Sequence, residues 1–128
     1  MFILINNMNN NELDNRKFQK ELNSGTAALV LLAVLDRAEE PMYGYQIAKH
    51  LDTGSEDVPV KQGALYPVLR SLEAGGLLAS EVEPSVTGPP RRYYRITDSG
   101  RETLRQWVEI WSRTKTFVEL ALKGNSHE

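Results

Sequence analysis

Cysteine is absent from the 128 residues, which excludes a disulfide scaffold, a thiolate zinc site and thiol redox chemistry. Histidine occurs twice, His50 near a helix end and His127 in a frayed tail. No metal set or catalytic constellation can be assembled from that pair, and the carboxylates are scattered with no candidate nucleophile beside them. A basic excess is missing too: 15 Lys and Arg stand against 17 Asp and Glu, for a net charge of −2. Counted by segment, residues 1–42 carry four basic against six acidic side chains, residues 43–96 six against six, and residues 97–128 five against five. A nucleic-acid binder is usually basic overall, so a case for DNA has to rest on where the charges sit. The opening MFILINNM is apolar for only five residues, has no basic leader and runs into asparagines. That is too short for a signal sequence or a membrane span. These absences predict a soluble, cytoplasmic protein that is not an enzyme and holds no cofactor or metal.

Hydrophobic content of 41% is enough for one compact core. Residues 1 to about 11 lack periodicity and read as a mobile tail, and residues 1–22 as that tail with a leading helical turn. The run AALVLLAVL from Ala27 to Leu35 is apolar on nearly every side and predicts a core helix. Either Asn23 or Ser24 caps it, or it begins near Asp14 and continues through Gly25. Pro41 stops it and places Glu40 in a turn. Ile47, Ala48 and Leu51 stand at helical spacing, with Gln46, Lys49 and His50 outward, and DTGSEDVP supplies the turn that follows. Ala64, Leu65, Val68, Leu69 and Leu72 form the buried stripe of a third helix, with Pro67 in its early turns and Gly75-Gly76 as a left-handed cap. Leu78–Val82 and Tyr93–Ile96 then alternate around the loop EPSVTGPPRR, a hairpin with an arginine-bearing tip. Period two puts Arg92, Tyr94 and Ile96 on one face and Arg91, Tyr93 and Arg95 on the other. Thr97 or Ser99 caps a last helix, Glu102 being placed to close a box with Ser99.

Two short helices followed by a hairpin are the plan of a winged helix-turn-helix. The predicted class is therefore mostly α with a small β-hairpin, a DNA-binding domain over 23–97, a dimerisation helix over 98–123 and a disordered tail at 124–128. The third helix offers Lys61, Gln62, Gly63, Ala64 and Tyr66 at its leading end. Gly63 and Ala64 allow close approach, Gln62 can pair with adenine, and Tyr66 can reach phosphate or a thymine methyl. Tyr66 reads equally as a core aromatic, and Tyr94 as buried. Arg70 suits a phosphate, and Arg91 and Arg92 gain by displacing counterions from the backbone.

The segments YGYQIAKHL, GALYPVLRSLEAGGLL and GPPRRYYRITDSGRETL together closely resemble the PadR family of bacterial transcriptional regulators. The likeness covers roughly residues 24–104, and the combination of YGY, LYP, GL and YYxIT is specific where each fragment alone is weak. It implies a homodimer on a palindromic operator in double-stranded DNA, usually a repressor, with a small aromatic, amphipathic or cationic compound as inducer. By position, Tyr43 and Tyr45 match the opening of the second helix, Gln62–Tyr66 the head of the recognition helix, and Arg91, Arg92 and Tyr93 the wing. The single terminal helix is similar to that of the small-sized branch, where it packs across the dimer axis. EIWSR resembles a segment of drug-responsive members in which the Trp stacks on flat ligands.

The residues themselves also ask for a partner. Leu104, Trp107, Val108, Trp111, Phe117, Val118 and Leu122 form a stripe too broad for a lone helix on a small domain. Burying roughly 150–250 Å² per aromatic at about 25 cal/mol per Å² gives several kcal/mol per subunit. Trp107 and Trp111 serve either as ligand stackers or as plain interface residues. The alternative reading is a winged-helix module that binds protein and never touches DNA; the near-neutral charge favours it, and the arginine wing with the YGY and LYP pattern opposes it.

Overall fold

The computed structural model describes residues 10–52, 60 and 62–124. A long helix α1 (Asn10–Arg37) leads into a two-residue strand β1 (Met42–Tyr43), then α2 (Gly44–Leu51) and α3 (Gln62–Ala74), the hairpin strands β2 (Leu78–Glu83) and β3 (Arg91–Ile96), and a terminal helix α4 (Asp98–Lys123). The strands form an antiparallel sheet in the order β1-β3-β2, with Tyr43 opposite Tyr93 and Leu78 opposite Ile96.

α1 is one unbroken helix that passes through Gly25. The boundary expected between residues 22 and 23 therefore falls inside a helix, and Asn10 and Asn11 are helical where a tail was expected; the rest of that expected tail, residues 1–9, lies outside the described residues. A glycine in a helix costs only about 1 kcal/mol relative to alanine, which the packing that follows outweighs. Ala27, Leu31, Leu32 and Leu35 are buried within the next three turns. The helix closes with Ala38 N–H donating to the Val34 carbonyl at 3.1 Å, ahead of Pro41.

Those four residues meet Ile47 and Leu51 of α2, Leu65, Leu69 and Leu72 of α3, and Leu78, Tyr94 and Ile96 of the sheet in one core. α3 follows its 3.6-residue period, which leaves Ala64, expected in the buried stripe, exposed on its flank. Pro67 removes the donor that Gly63's carbonyl would have had, and Gly63 is exposed, so solvent can serve it. α3 ends in a Schellman turn: Gly76, at φ 79°, donates to Glu73 (2.9 Å) and Leu77 donates to Leu72 (3.0 Å).

Thr97 caps α4 and binds three segments together. Its hydroxyl accepts from Gly100 N–H at 2.9 Å and lies 2.7 Å from the Gly76 carbonyl, to which it donates. Its own N–H donates to the Leu77 carbonyl at 3.1 Å. Gly100 is buried, and a Cβ there would overlap the Leu77 carbonyl oxygen, so only glycine fits. The alternative cap, Ser99, lies inside the helix, and Glu102 bonds Arg105 at 2.7 Å instead of closing a box.

Leu104 belongs to this core at 8% exposure and is not free for the interface in which the sequence placed it. It is only two turns into α4, where the helix still lies on the domain. Trp107 is half-buried, and from Val108 to Lys123 every residue is exposed. Arg101 pairs with Asp36 at 3.4 Å, so α4 starts where α1 ends and the two share a groove. No described helix is long and apolar enough to cross a membrane.

Candidate nucleic-acid interface

α3 turns Leu65, Leu69 and Leu72 inward, and the same periodicity turns Gly63, Ala64, Tyr66 and Arg70 out to solvent. Gln62 opens the helix, and Lys61 lies outside the described residues. Tyr66 is 43% exposed, so it is a core aromatic on one side only. Its phenol lies across Gly44 at the start of α2: a Cβ on Gly44 would overlap the Tyr66 hydroxyl and stand 2.5 Å from ring carbon Cζ. Gly44 is buried under that ring, which sets the close approach of α2 to α3.

β1 carries Tyr43 to the edge of the site. Gln46 Oε1 accepts from Tyr43 N–H at 3.1 Å and holds the turn into α2. Tyr43 and Tyr93 meet edge-on with ring centroids 5.3 Å apart, and Tyr45, mostly exposed, stacks on Tyr43 at 6.4 Å. The Arg91 guanidinium lies over the Tyr43 ring at 4.5 Å, and Lys49 Nζ lies over Tyr45 at 6.0 Å. Each such cation–π contact is worth about 0.5–1 kcal/mol at an exposed site. Stacking uses the face of the guanidinium and leaves its N–H edge open to an anion.

Arg91 and Arg92 were expected on the hairpin tip and are ladder residues of β3, one on each face, because β3 begins two residues earlier than its alternation announced. The tip is residues 84–90. Arg92 shares its face with buried Tyr94 and donates through Nη1 to Ser80 Oγ at 2.9 Å; Ser80 donates to Glu73 Oε2 at 2.6 Å. Burial is the chief cause of a Tyr94 phenol pKa above its ordinary value, with Glu73 next; Arg92 and Arg70 act against it. Glu81 and Glu83 pair across from Tyr93 and Arg91, so the outer face carries both signs. Among the described residues, neither Arg70, Arg91 nor Arg92 is in an ion pair.

A second feature lies along α1 and α4. Leu22, Gly25, Leu29, Trp107, Ile110 and Trp111 line a cavity of about 400 Å³ with Glu21 at its margin. Both tryptophans proposed as ligand stackers are in it, together with Ile110, which the apolar stripe left out. Val108, Trp111, Phe117, Val118 and Leu122 are exposed. So are Leu13, Phe18 and Leu22 on the first half of α1. No group of three or more His, Cys, Asp or Glu suited to a metal occurs among the described residues.

Residues 31–106 match the model of the Transcriptional regulator PadR-like family. A transcriptional regulator of Mycobacterium tuberculosis is 36% identical over 112 residues, 88% of this chain and 94% of that protein. The crystal structure of a PadR family transcriptional regulator from Eggerthella lenta superposes with a TM-score of 0.75 at 36% identity, covering 88% of this chain and 95% of its own. A PadR-like regulator from Bacillus cereus gives 0.64 at 28%, covering 80% and 97%.

Proposed function

The chain belongs to the PadR-like family of transcriptional regulators, and on that footing we propose that it is a homodimeric DNA-binding repressor without enzymatic activity. One observation carries this reading. The polar leading end of α3, with Gly63, Ala64, Tyr66 and Arg70 turned outward, stands in the same domain as a wing arginine held over the Tyr43 ring. Helix and wing together supply a groove reader and a backbone grip. The exposed apolar rows on α1 and α4 supply the joint between two copies, whose recognition helices enter successive major grooves about 34–36 Å apart. Selecting bound sites from random duplexes tests it: a palindromic consensus supports DNA reading and dimerisation together, and its absence overturns both. Gel shifts then assign roles. Gln62→Ala changes sequence preference, and Arg91→Ala weakens binding to all sequences.

The groove beside Trp107 and Trp111 favours a second role, in which a flat aromatic, amphipathic or cationic compound enters and releases DNA. Its walls are apolar, and Glu21 at the margin suits a cation. Saturable quenching of tryptophan fluorescence by such compounds is the expected result.

A further inference from the structure

The two wing arginines differ in what holds them. Arg91 is stacked on Tyr43 at the outer face. Arg92 faces α3, and one hydroxyl connects it to that helix: Arg92 Nη1 donates to Ser80 Oγ (2.9 Å), which donates to Glu73 Oε2 (2.6 Å). A serine oxygen has one proton to give and lone pairs to receive, so a cation on one side and a carboxylate on the other fix its direction. At 2.6 Å the bond to the carboxylate is in the short, charge-assisted range. Ser80 sits opposite Tyr94 in the ladder, and Tyr94 senses Glu73, Arg92, Arg70 and Tyr66 electrostatically. The chain of bonds joins the wing to the last turn of α3.

We propose that Arg92, Ser80 and Glu73 form a positioning unit that sets the wing's angle against α3 and thereby governs operator discrimination, the phosphate contact of the wing being left to Arg91. This rests on the reading of the chain as an operator-binding regulator. Recognition needs base edges and phosphates met at once, whereas general attraction to a polyanion needs only charge. A wing free to pivot keeps its charge and loses the match. Ser80 is half-buried, with its hydroxyl committed on both sides, so its removal reports on position alone.

The probes are duplexes recovered from a random pool by the wild type and a shuffled duplex of equal length. Ser80→Ala lowers affinity for the selected duplex about five- to tenfold, the worth of one net hydrogen bond, with affinity for the shuffled duplex and the salt slope unchanged. Ser80→Thr, which restores the hydroxyl, restores the ratio. Arg92→Ala matches Ser80→Ala, and the double variant is no worse than either. Arg92→Ala supplies the same readout should Ser80→Ala not fold. An unchanged ratio in Ser80→Ala overturns the positioning unit, as does a salt slope that Arg92→Ala reduces by about one in the Ser80→Ala background. A wild type that selects no consensus overturns the regulator reading as well; a wild type that selects one while Ser80→Ala keeps the ratio overturns the unit alone.

Discussion

Replacing Gly44 by alanine tests the contact between α2 and α3, because the added carbon collides with a side chain that can move. The overlap is with the hydroxyl, Cζ and Cε1 of Tyr66, all on one ring. That ring is already 43% exposed, so the easiest relief is for it to swing out. A fully buried tyrosine hides roughly 150–250 Å², so about 100 Å² is surrendered, an upper bound of about 2.5 kcal/mol at 25 cal/mol per Å². Against this, alanine restricts the unfolded chain and returns about 0.4–1 kcal/mol, since Gly44 has no need of positive φ. Gly44→Ala should therefore lose about 1.5–2 kcal/mol. In a Tyr66→Ala background the obstacle is gone, and the same substitution should stabilise by about 0.4–1 kcal/mol. Urea unfolding of the four proteins closes the cycle. An equal loss in both backgrounds would refute the reasoning. On DNA, Gly44→Ala should weaken operator binding as Tyr66→Ala does, because both remove the phenol from its station.

Tyr43→Phe keeps the ring under Arg91 and should leave DNA affinity within twofold, while Tyr43→Leu removes a cation–π contact of about 0.5–1 kcal/mol and should weaken binding about two- to fivefold in the gel shift. Phe117→Asp puts a charge on the exposed row of α4 and should yield monomers by light scattering, with the thermal transition of the domain retained. The Tyr94 phenol, raised above 10.0 first by burial and then by Glu73, keeps its proton in the folded chain after the unfolded chain has released it. That stability is complete below pH about 10 and is lost as pH rises through the folded value, so urea midpoints should fall less steeply above pH 10 in Tyr94→Phe than in wild type.

Much of the frame was legible because it repeats. The period of 3.6 through Leu65, Leu69 and Leu72, the glycine pair that closes α3 and the alternation of β3 all follow from backbone geometry and need no partner to be seen. What escaped was either too short or too distant. β1 has two residues and so no period, yet it delivers Tyr43 to Arg91. Ala64 is apolar and near the stripe, but its angle on the helix carries it outward. Leu104 looked like interface because a stripe does not say where a helix leaves its own domain. The Arg92–Ser80–Glu73 connection joins residues 12 and 7 positions apart on three elements, and nothing in the order of residues fixes that a serine, among several, lies between those charges. The outward face of α3 was legible from its period, while the different partners of Arg91 and Arg92 needed coordinates.

The knot at Thr97 has a mechanical consequence. Because the cap of α4 is bonded to the carbonyl of Gly76 and packed on that of Leu77, the end of α3 and the first turn of the long terminal helix are joined as an elbow. A helix of 26 residues is a lever of about 39 Å, so a rotation of about 5° about the elbow displaces its far end by about 3 Å. Force applied to the exposed far half of α4 is thus carried to the junction of α3 and α4 at Thr97.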